Sequence, residues 1–324
     1  MGVAPTREFD EDDPQVAAYL FEKAAPDLDP PVMVRLETVA PPHLRRWQVR
    51  TASGVWRLKI AAVPEARDEL LLGARVTRIL RARGHPVPEV HATHRCLDRL
   101  DCSAVVERRL GTTDAMAAWR GLGAVHKGPL LTEAARALRG VHALKEGDLV
   151  LKAPPPDTDD PTPQAMGPLL FDLLDGQRAR EDLDTPLRDT LRTRIETGLA
   201  ALPQPLERRL CHGSLGAFAV AMEGRAFAGL RDFEAVRWGD PWADVAAFLM
   251  TITEPGTPTA CRIVEDYLDG APPPPRLGER LDLFVGADLV RGLLWAPDCA
   301  PTCLLERLKA ALAEWAHGPT PVPA

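Results

Sequence analysis

The pattern of apolar and polar positions is strand-like in the part of the chain that follows residue 30. Runs of β-branched and aromatic residues predict strands at Val32–Glu37, Arg46–Thr51 and Val55–Ile60. The segment Ala52-Ser53-Gly54 joins the last two, and its length and its glycine predict a hairpin turn. From residue 64 the apolar spacing changes to three or four positions, which predicts a helix over residues 64–83. Its buried stripe would consist of Leu72, Val76, Ile79 and Leu80.

Beyond that helix the pattern returns briefly to strands and then becomes helical. A stop signal with Gly and two prolines at residues 84–90 precedes strands predicted at Val90–Thr93 and Cys102–Glu107. From Gly111 onward the chain is mostly helical, apart from a proline-rich loop at 149–164 and a loop with a short hairpin at 211–234. The predicted helices cover residues 131–144, 166–179, 183–200, 241–252, 258–269, 277–296 and 301–316.

The first 29 residues are predicted to form an acidic segment with one short helix. Asp13 is the expected N-cap of that helix and Pro14 its first residue, and the helix runs to about Lys23. The whole pattern predicts an α+β protein in three parts. These are the acidic segment 1–29, a strand-rich domain 30–108 and a helical domain 109–324.

Composition and charge exclude several classes of protein. The 324 residues carry a net charge of −7 and the sequence pI is about 5.7, which argues against a broad nucleic-acid-binding surface. No run of about 18 apolar residues is present, so no membrane span is expected. The chain has no apolar signal core, so a cytoplasmic location is expected. The six cysteines form no C-x-x-C pair, which favours reduced thiols that pack as small apolar side chains.

Three neighbouring segments carry the chemistry-bearing residues. Residues 211–219 read C-H-G-S-L-G-A-F-A, residues 229–234 read G-L-R-D-F-E, and residues 238–244 read W-G-D-P-W-A-D. Together they resemble the catalytic and metal loops of the aminoglycoside phosphotransferase and choline kinase-like family. Pro86-Val87-Pro88 and Val141-His142-Ala143-Leu144 resemble two further segments of that family, in the same order along the chain.

The resemblance implies a bilobal, protein-kinase-like α+β fold. Its small N-terminal lobe would be an antiparallel sheet with a helix, and its C-terminal lobe would be larger and mainly helical. The family transfers phosphoryl groups with a strand lysine, a catalytic Asp, and an Asp and an Asn that hold magnesium. Lys59 falls at the lysine and Asp232 at the magnesium-binding Asp. The implied cofactor is therefore ATP or GTP with Mg²⁺.

Those assignments have alternatives when the residues are taken by themselves. Lys59 fits a surface lysine on a strand, and Asp232 fits a turn residue that caps the next element. The resemblance also places Glu107 at the strand–hinge junction, where the backbone of residues 107–109 could bind an adenine edge. Arg108 and Arg109 could attract an anion there, or could simply be solvated.

Two residues that the chemistry usually needs are replaced. Ser214 stands at the position of the catalytic Asp, and a serine cannot act as a carboxylate base; losing such a base commonly costs about 10²–10⁴ in rate. Ala219 stands at the position of the magnesium-binding Asn. Asp232 would then be the one remaining protein ligand, which is a weak magnesium site unless the nucleotide supplies the other oxygens.

Two binding elements are also altered. The loop at residues 38–45 has two prolines and no glycine, so it cannot donate N–H groups to phosphates in the usual way. The helix glutamate that would hold the strand lysine falls near Gly73, and Glu69, one turn earlier, could substitute. Glu234 follows Asp232 by two positions and could point into the cleft. His212 is a candidate of the catalytic loop that is expected to be structural. His43 could contact a ligand, or could simply be solvated.

These residues leave three functions open. The first is a pseudokinase that binds a small molecule, a peptide or a partner protein, with little or no phosphoryl transfer, in a bacterial biosynthetic or resistance pathway. The second is a divergent phosphotransferase that acts on a hydroxyl of a small molecule or a peptide, beside a partner lyase. The third is an enzyme of other chemistry on the same scaffold. For the first, any bound ATP or GTP with Mg²⁺ is expected to be weak or absent.

Overall fold

A five-stranded antiparallel sheet dominates the first of the two compact units into which the chain divides. The computed structural model describes residues 12–37, 44–95, 102–145, 163–203, 208–252, 258–294 and 302–318. The first unit consists of the described residues of Met1–Ala115 together with Ala219–Val236. The second consists of the described residues of Met116–Phe218 and Arg237–Ala324. The sequence had placed residues 219–236 in the helical domain, whereas the structure groups them with the sheet.

The strands of this sheet lie within one or two residues of their predicted positions. They are β1 (Met33–Leu36), β2 (Arg45–Thr51), β3 (Gly54–Ala61), β4 (Val90–His94) and β5 (Ser103–Arg108). Their spatial order is β1-β2-β3-β5-β4, and every neighbouring pair is antiparallel. The predicted hairpin therefore joins β2 and β3.

One helix packs on each face of the sheet. In helix α1 (Pro14–Ala24) the Asp13 side chain accepts a hydrogen bond from the Gln15 N–H at 2.8 Å, which confirms the predicted N-cap. Leu20 and Phe21 of α1 share a core with alternate residues of β3 and β5, which include Leu58, Ile60, Ala104 and Val106. Helix α2 (Pro64–Ala82) packs Leu70 on the intervening residues, which include Ala61 and Val105. Successive side chains of a strand point to opposite faces, so α1 and α2 cover opposite sides.

A small three-stranded sheet completes the first unit. It consists of β6 (Thr113–Asp114) and the hairpin β8 (Val220–Glu223) and β9 (Ala226–Leu230), in the order β6-β8-β9. After β9 the chain forms a short 3₁₀ turn at Phe233–Ala235, which packs against α2.

The second unit is mainly helical. Its helices are α3 (Ala115–Ala118), α4 (Ala124–His142), α5 (Pro163–Asp175), α6 (Gln177–Asp182), α7 (Thr185–Leu199), α8 (Pro241–Ile252), α9 (Pro258–Leu268), α10 (Leu277–Leu294) and α11 (Thr302–His317). Strand β7 (Arg209–Cys211) pairs with β10 (Arg237–Gly239). Helix α10 is buried along most of its length, between α7, α8 and α11.

Two predicted helices differ from the observed ones. The helix predicted at 131–144 begins earlier, at Ala124, and contains Pro129 in its second turn. The helix predicted at 166–179 is two helices, because Gly176 has an extended backbone and separates α5 from α6. The proline-rich loop predicted at 149–164 lies almost entirely outside the described residues. Within the described ranges, no helix has both the length and the apolar character needed to cross a membrane.

Candidate functional site

Strand register brings several charged side chains together on the α2 face of the large sheet. Arg46 of β2 is paired with Lys59 of β3, and Arg57 of β3 is paired with Glu107 of β5. Residues 57 and 59 are two apart on one strand, so their side chains share a face. All four residues are buried, each with less than a tenth of its surface exposed.

Lys59 lies at the centre of this group and contacts three carboxylates. Its Nζ atom is 2.6 Å from Glu234, 3.0 Å from Glu107 and 3.3 Å from Asp232. Burial by itself would lower the pKa of Lys59, but these carboxylates together raise it above its ordinary value. Lys59 is therefore a buried, charged side chain and not a surface lysine.

Asp232 is surrounded by cations. One of its carboxylate oxygens lies 3.4 Å from Arg57 and 3.3 Å from Lys59, and the other lies 3.2 Å from Arg46 and 3.5 Å from Arg231. Burial alone would raise the pKa of this carboxyl group, but the four cations hold it well below its ordinary value. Asp232 is therefore ionised, and both of its oxygens are engaged by side chains of the protein.

The backbone at Asp232 has a left-handed conformation, with φ 69° and ψ 56°. Aspartate tolerates this region better than most residues with a side chain, but the conformation still stores some strain. The turn directs Asp232 and Glu234 toward the same cations. Glu234 pairs with Lys59 and also with Arg46, at 3.3 Å. The strain at Asp232 is thus compensated by ion pairs on both carboxylates.

Two acids at the edge of the cluster bind the arginines from outside. Glu37 lies 3.0 Å from the Nε atom of Arg57, and Asp114 lies 3.1 Å from an Nη atom of Arg231. We refer to the nine residues as the charge cluster. Its members are Glu37, Arg46, Arg57, Lys59, Glu107, Asp114, Arg231, Asp232 and Glu234.

A glycine on α2 allows Glu234 to reach the cluster. A Cβ atom at Gly73 would lie 2.6 Å from the carbonyl oxygen of Phe233 and 3.0 Å from the Glu234 nitrogen. The backbone that carries Glu234 therefore occupies the space beside the helix where a side chain at position 73 would lie. Glu69, the predicted substitute, is on α2 but exposed, whereas Lys59 is buried. Of the carboxylates beside Lys59, the nearest belongs to Glu234, which follows β9 in the chain.

Replacing Gly73 by Ala is expected to lower the melting temperature by several degrees. A Gly-to-Ala change within a helix normally stabilises by about 1 kcal/mol. Here the added methyl group would press on rigid backbone, and overpacking of this kind costs about 1–3 kcal/mol. Gly121→Ala, where nothing lies within 4 Å of the added atom, is the control for thermal denaturation. An equal or higher melting temperature for Gly73→Ala would contradict the close approach.

The residues present do not fit a magnesium ion. A magnesium site needs carboxylate or amide oxygens that are free to coordinate. Both oxygens of Asp232 already face cations, and Ala219, fully buried, offers no side-chain ligand. At Asp232, where the sequence predicts a weak metal site, arginine and lysine side chains lie against both carboxylate oxygens.

The backbone near Glu107 is also largely engaged. The N–H of Arg108 donates to the Glu89 carbonyl at 2.8 Å, and the N–H of Arg109 donates to the Val55 carbonyl at 3.0 Å. These two donors, predicted to bind an adenine edge, already serve the sheet. Glu107 itself contributes its buried side chain to the charge cluster. Residues 38–43 of the altered loop, including His43, lie outside the described residues.

In the second unit, the loop that carries Ser214 is held by a buried carboxylate. Asp244 on α8 accepts hydrogen bonds from the backbone N–H of His212 at 2.5 Å and of Gly213 at 2.9 Å. The His212 side chain is fully buried, which agrees with a structural role. Ser214 is exposed and carries a hydroxyl where the family's loop has a carboxylate. The backbone of this loop is therefore anchored by Asp244, and its exposed position 214 offers a hydroxyl group.

His142, Cys211 and Asp244 bring three possible metal-ligand atoms within 4.8 Å of one another, but their contacts favour a structural role. His142 is hydrogen-bonded through one ring nitrogen to Asp244, at 3.0 Å, and through the other to the Tyr267 hydroxyl, at 2.7 Å. Burial raises the pKa of the Cys211 thiol well above its ordinary value, so the thiolate that binds metals is disfavoured.

Some members of the charge cluster are predictable from the sequence and others are not. Lys59, Asp232, Glu107 and Glu234 were all predicted candidates, and the structure brings them together. Three arginines were missed, namely Arg46, Arg57 and Arg231. The alternation of β3 was a usable signal for Arg57, because it lies two positions from Lys59 on the same face.

Comparison with known proteins identifies the family. The model of the phosphotransferase enzyme family, APH, matches residues 43–279. A search of curated proteins found no significant match to the sequence. Three solved structures share the protein-kinase-like fold, at 14–18% sequence identity.

The first of these is the GDP and kanamycin complex of APH(2")-IIia, with a TM-score of 0.71, 18% identity, and coverage of 92% of this chain and 97% of that chain. Macrolide 2'-phosphotransferase MphH from Brachybacterium faecium has a TM-score of 0.60, 18% identity, and coverage of 88% and 93%. A thermostable mutant of aminoglycoside phosphotransferase APH(4)-Ia, in ternary complex with AMP-PNP and hygromycin B, has a TM-score of 0.64, 14% identity, and coverage of 93% and 97%. The chain therefore belongs to the APH phosphotransferase enzyme family.

Proposed function

We propose that this protein is a pseudokinase of the APH family that binds a ligand or partner and performs little or no phosphoryl transfer. The observation that carries the proposal is the enclosure of Asp232 by Arg46, Arg57, Lys59 and Arg231. Phosphoryl transfer in kinases depends on a carboxylate at this point that holds the metal on the nucleotide phosphates.

The energetics of the charge cluster support this proposal. Charges in a buried site interact strongly because water does not screen them, and breaking a buried pair costs about 3–5 kcal/mol. A magnesium–nucleotide complex that used Asp232 would have to displace Arg46 or Arg57 from it, and each arginine would then need a new partner. The ionised and saturated state of Asp232 opposes that exchange.

The two replaced loop residues point in the same direction independently. Ser214 supplies no carboxylate base for an acceptor hydroxyl, and Ala219 supplies no metal ligand. Loss of a positioned base commonly costs about 10²–10⁴ in rate. Three separate requirements of the reaction, namely base, second metal ligand and free metal carboxylate, are thus unmet by the residues at the expected positions.

The ligand class follows from the family. The neighbouring structures hold kanamycin or hygromycin B beside GDP or AMP-PNP. By this likeness we propose a small molecule as the ligand; a peptide or a protein partner, and a cytoplasmic bacterial biosynthetic or resistance pathway, are further parts of the proposal that the likeness does not carry. Nucleotide, if bound, would bind weakly and without the usual metal contacts.

A divergent, active phosphotransferase is the second candidate. Its support is the retained pair of Lys59 and Asp232, which lie 3.3 Å apart. This function requires a nucleotide to compete with the arginines for the cluster, and another residue to replace the missing base. It predicts an activity that depends on Asp232.

The two functions are separated by a transfer assay with γ-phosphate-labelled ATP and GTP, in the presence of Mg²⁺, on kanamycin, hygromycin B and a Ser/Thr peptide pool. If the protein is a pseudokinase, the wild-type protein is expected to transfer no more labelled phosphate than Asp232→Asn does. Asp68→Asn, an exposed change on α2, is the matched control. Robust transfer that Asp232→Asn abolishes and Asp68→Asn retains, with both variants folded, would overturn the proposal in favour of the second function.

A further inference from the structure

The guanidinium group of Arg46 bridges the two carboxylates that follow β9. One of its Nη atoms lies 3.2 Å from Asp232 and the other lies 3.3 Å from Glu234. A single positive group thus spans two neighbouring acidic side chains, which is the arrangement that a divalent cation adopts between carboxylates. Arg46 is 7% exposed, so this contact is shielded from solvent.

We propose that the Arg46 guanidinium serves as a built-in cation that takes the electrostatic place of the metal between Asp232 and Glu234. The inference rests on the proposed function, since it explains how the family's metal carboxylate is kept without a metal. Arg46 is the residue that supplies the positive charge between the two carboxylates. We therefore expect a divalent cation to bind this unit only when that guanidinium is removed.

The position of Arg46 in the sheet explains why this arginine reaches both acids. In the register of β2 and β3, Arg46 stands directly opposite Lys59, on the face that α2 covers. Lys59 contacts the same two carboxylates, through their other oxygens, at 3.3 Å and 2.6 Å. Asp232 and Glu234 are therefore held from two adjacent strands by two cations that the sheet itself positions.

The hydrogen bonding of Arg46 indicates that its charge is the important property. Its Nε atom is buried and has no hydrogen-bond partner among the residues that the structure describes. Leaving a buried donor unpaired is unfavourable. Arg46 is nevertheless buried in the cluster, where its positive charge offsets the repulsion between the carboxylates of Asp232 and Glu234. Asp232 does act to raise the pKa of Glu234, while Lys59 and Arg46 lower it.

The balance of charge leads to the same conclusion. The charge cluster has four cationic and five anionic side chains, so its net charge is about −1 when all are ionised. Without the guanidinium of Arg46 it would be about −2, the charge that one divalent cation neutralises. The two carboxylates left without Arg46 are also the ones that could provide oxygen ligands.

Thermal denaturation with and without Mn²⁺ or Mg²⁺ tests the proposal, with no nucleotide present. The wild-type protein is expected to show no metal-dependent shift. Arg46→Gln is expected to melt lower, and to recover by several degrees when either ion is added, because a ligand that binds only the folded state stabilises it. Arg46→Lys, which keeps the charge, is expected to remain insensitive to metal. Arg50→Gln, an exposed change on the same strand, is the matched control.

Two results would overturn the inference. One is a metal-dependent shift of the wild-type protein that Asp232→Asn removes. The other is a folded Arg46→Gln variant that neither ion stabilises. If Arg46→Gln does not fold, electron paramagnetic resonance can still compare Mn²⁺ binding by the wild-type protein and by Asp232→Asn. That comparison decides whether the wild-type protein binds the ion through Asp232. A protein without transfer activity that binds Mn²⁺ through Asp232 would contradict this inference alone, and metal-independent transfer would contradict the proposed function alone.

Discussion

Replacing Lys59 by Met is expected to lower the free energy of unfolding by about 3–5 kcal/mol, because it removes one side of a buried ion-pair network. Lys59 is 3% exposed and lies within 3.3 Å of Glu107, Asp232 and Glu234. Methionine fills a similar volume but leaves these acids short of a positive charge. Urea denaturation followed by tryptophan fluorescence measures the effect.

The control for this experiment is Lys23→Met on α1. Lys23 is exposed, and surface changes of this kind usually alter stability by less than about 0.5 kcal/mol. A cost of less than about 1 kcal/mol for Lys59→Met is what a solvated surface lysine would give. Such a result would contradict the charge cluster as described.

Replacing Asp244 by Asn is expected to cost about 3 kcal/mol, since buried hydrogen bonds to a charged acceptor are lost and a donor is left facing donors. One carboxylate oxygen accepts from the His212 N–H and from His142, and the other accepts from the Gly213 N–H. An amide group turns one of the two acceptors into a donor. In either orientation, at least one backbone N–H of the loop loses its partner.

The matched control is Asp175→Asn, which alters an exposed carboxylate paired with Arg192 on the surface. Exposed pairs contribute about 0–1 kcal/mol, so its melting temperature should stay close to that of the wild-type protein. Hydrogen exchange at residues 212 and 213 provides a second readout, because loosening of the loop should raise exchange there first. Unchanged stability and unchanged exchange in Asp244→Asn would contradict the anchoring role.

Much of the fold was predictable because its local signals are strong and agree with one another. The helix at residues 241–252 was predicted with the bounds that the structure has, since Pro241 starts it and its apolar positions are dense. The hairpin of β2 and β3 followed from one glycine-containing turn. The split between α5 and α6 was not predicted, because one glycine within a helical pattern is compatible with either a helix or a break.

The candidate site was predicted only in part, because its contacts depend on strand register. Motif spacing located Lys59 and Asp232, which are single positions in a known order. That Arg46 stands opposite Lys59 depends on which residues of β2 and β3 pair, and no local pattern states this. The sequence around Lys59 likewise does not indicate which acidic residue lies beside it. Gly73 predicts that this helix position has no glutamate, but only the close approach of the Phe233 backbone to Gly73 places Glu234 near Lys59.

The chain retains the family fold, and the proposed change in its chemistry rests on the altered loop residues and the charge cluster together. Fold alone does not determine function, since function depends on the site that the fold carries. Here the sheet, α2 and the segment after β9 position the usual lysine and aspartate. Three arginines then satisfy the aspartate, which leaves it no free oxygen for a metal.

Isothermal titration calorimetry of the wild-type protein with ATP and with GTP, each in the presence and absence of Mg²⁺, tests the central claim most directly. The claim is that Asp232 is saturated by side chains of the protein and does not hold a magnesium–nucleotide complex. It predicts that any effect of Mg²⁺ on the binding of either nucleotide is the same in Asp232→Asn as in the wild-type protein. Saturable binding that requires Mg²⁺ and is lost in a folded Asp232→Asn variant would contradict it.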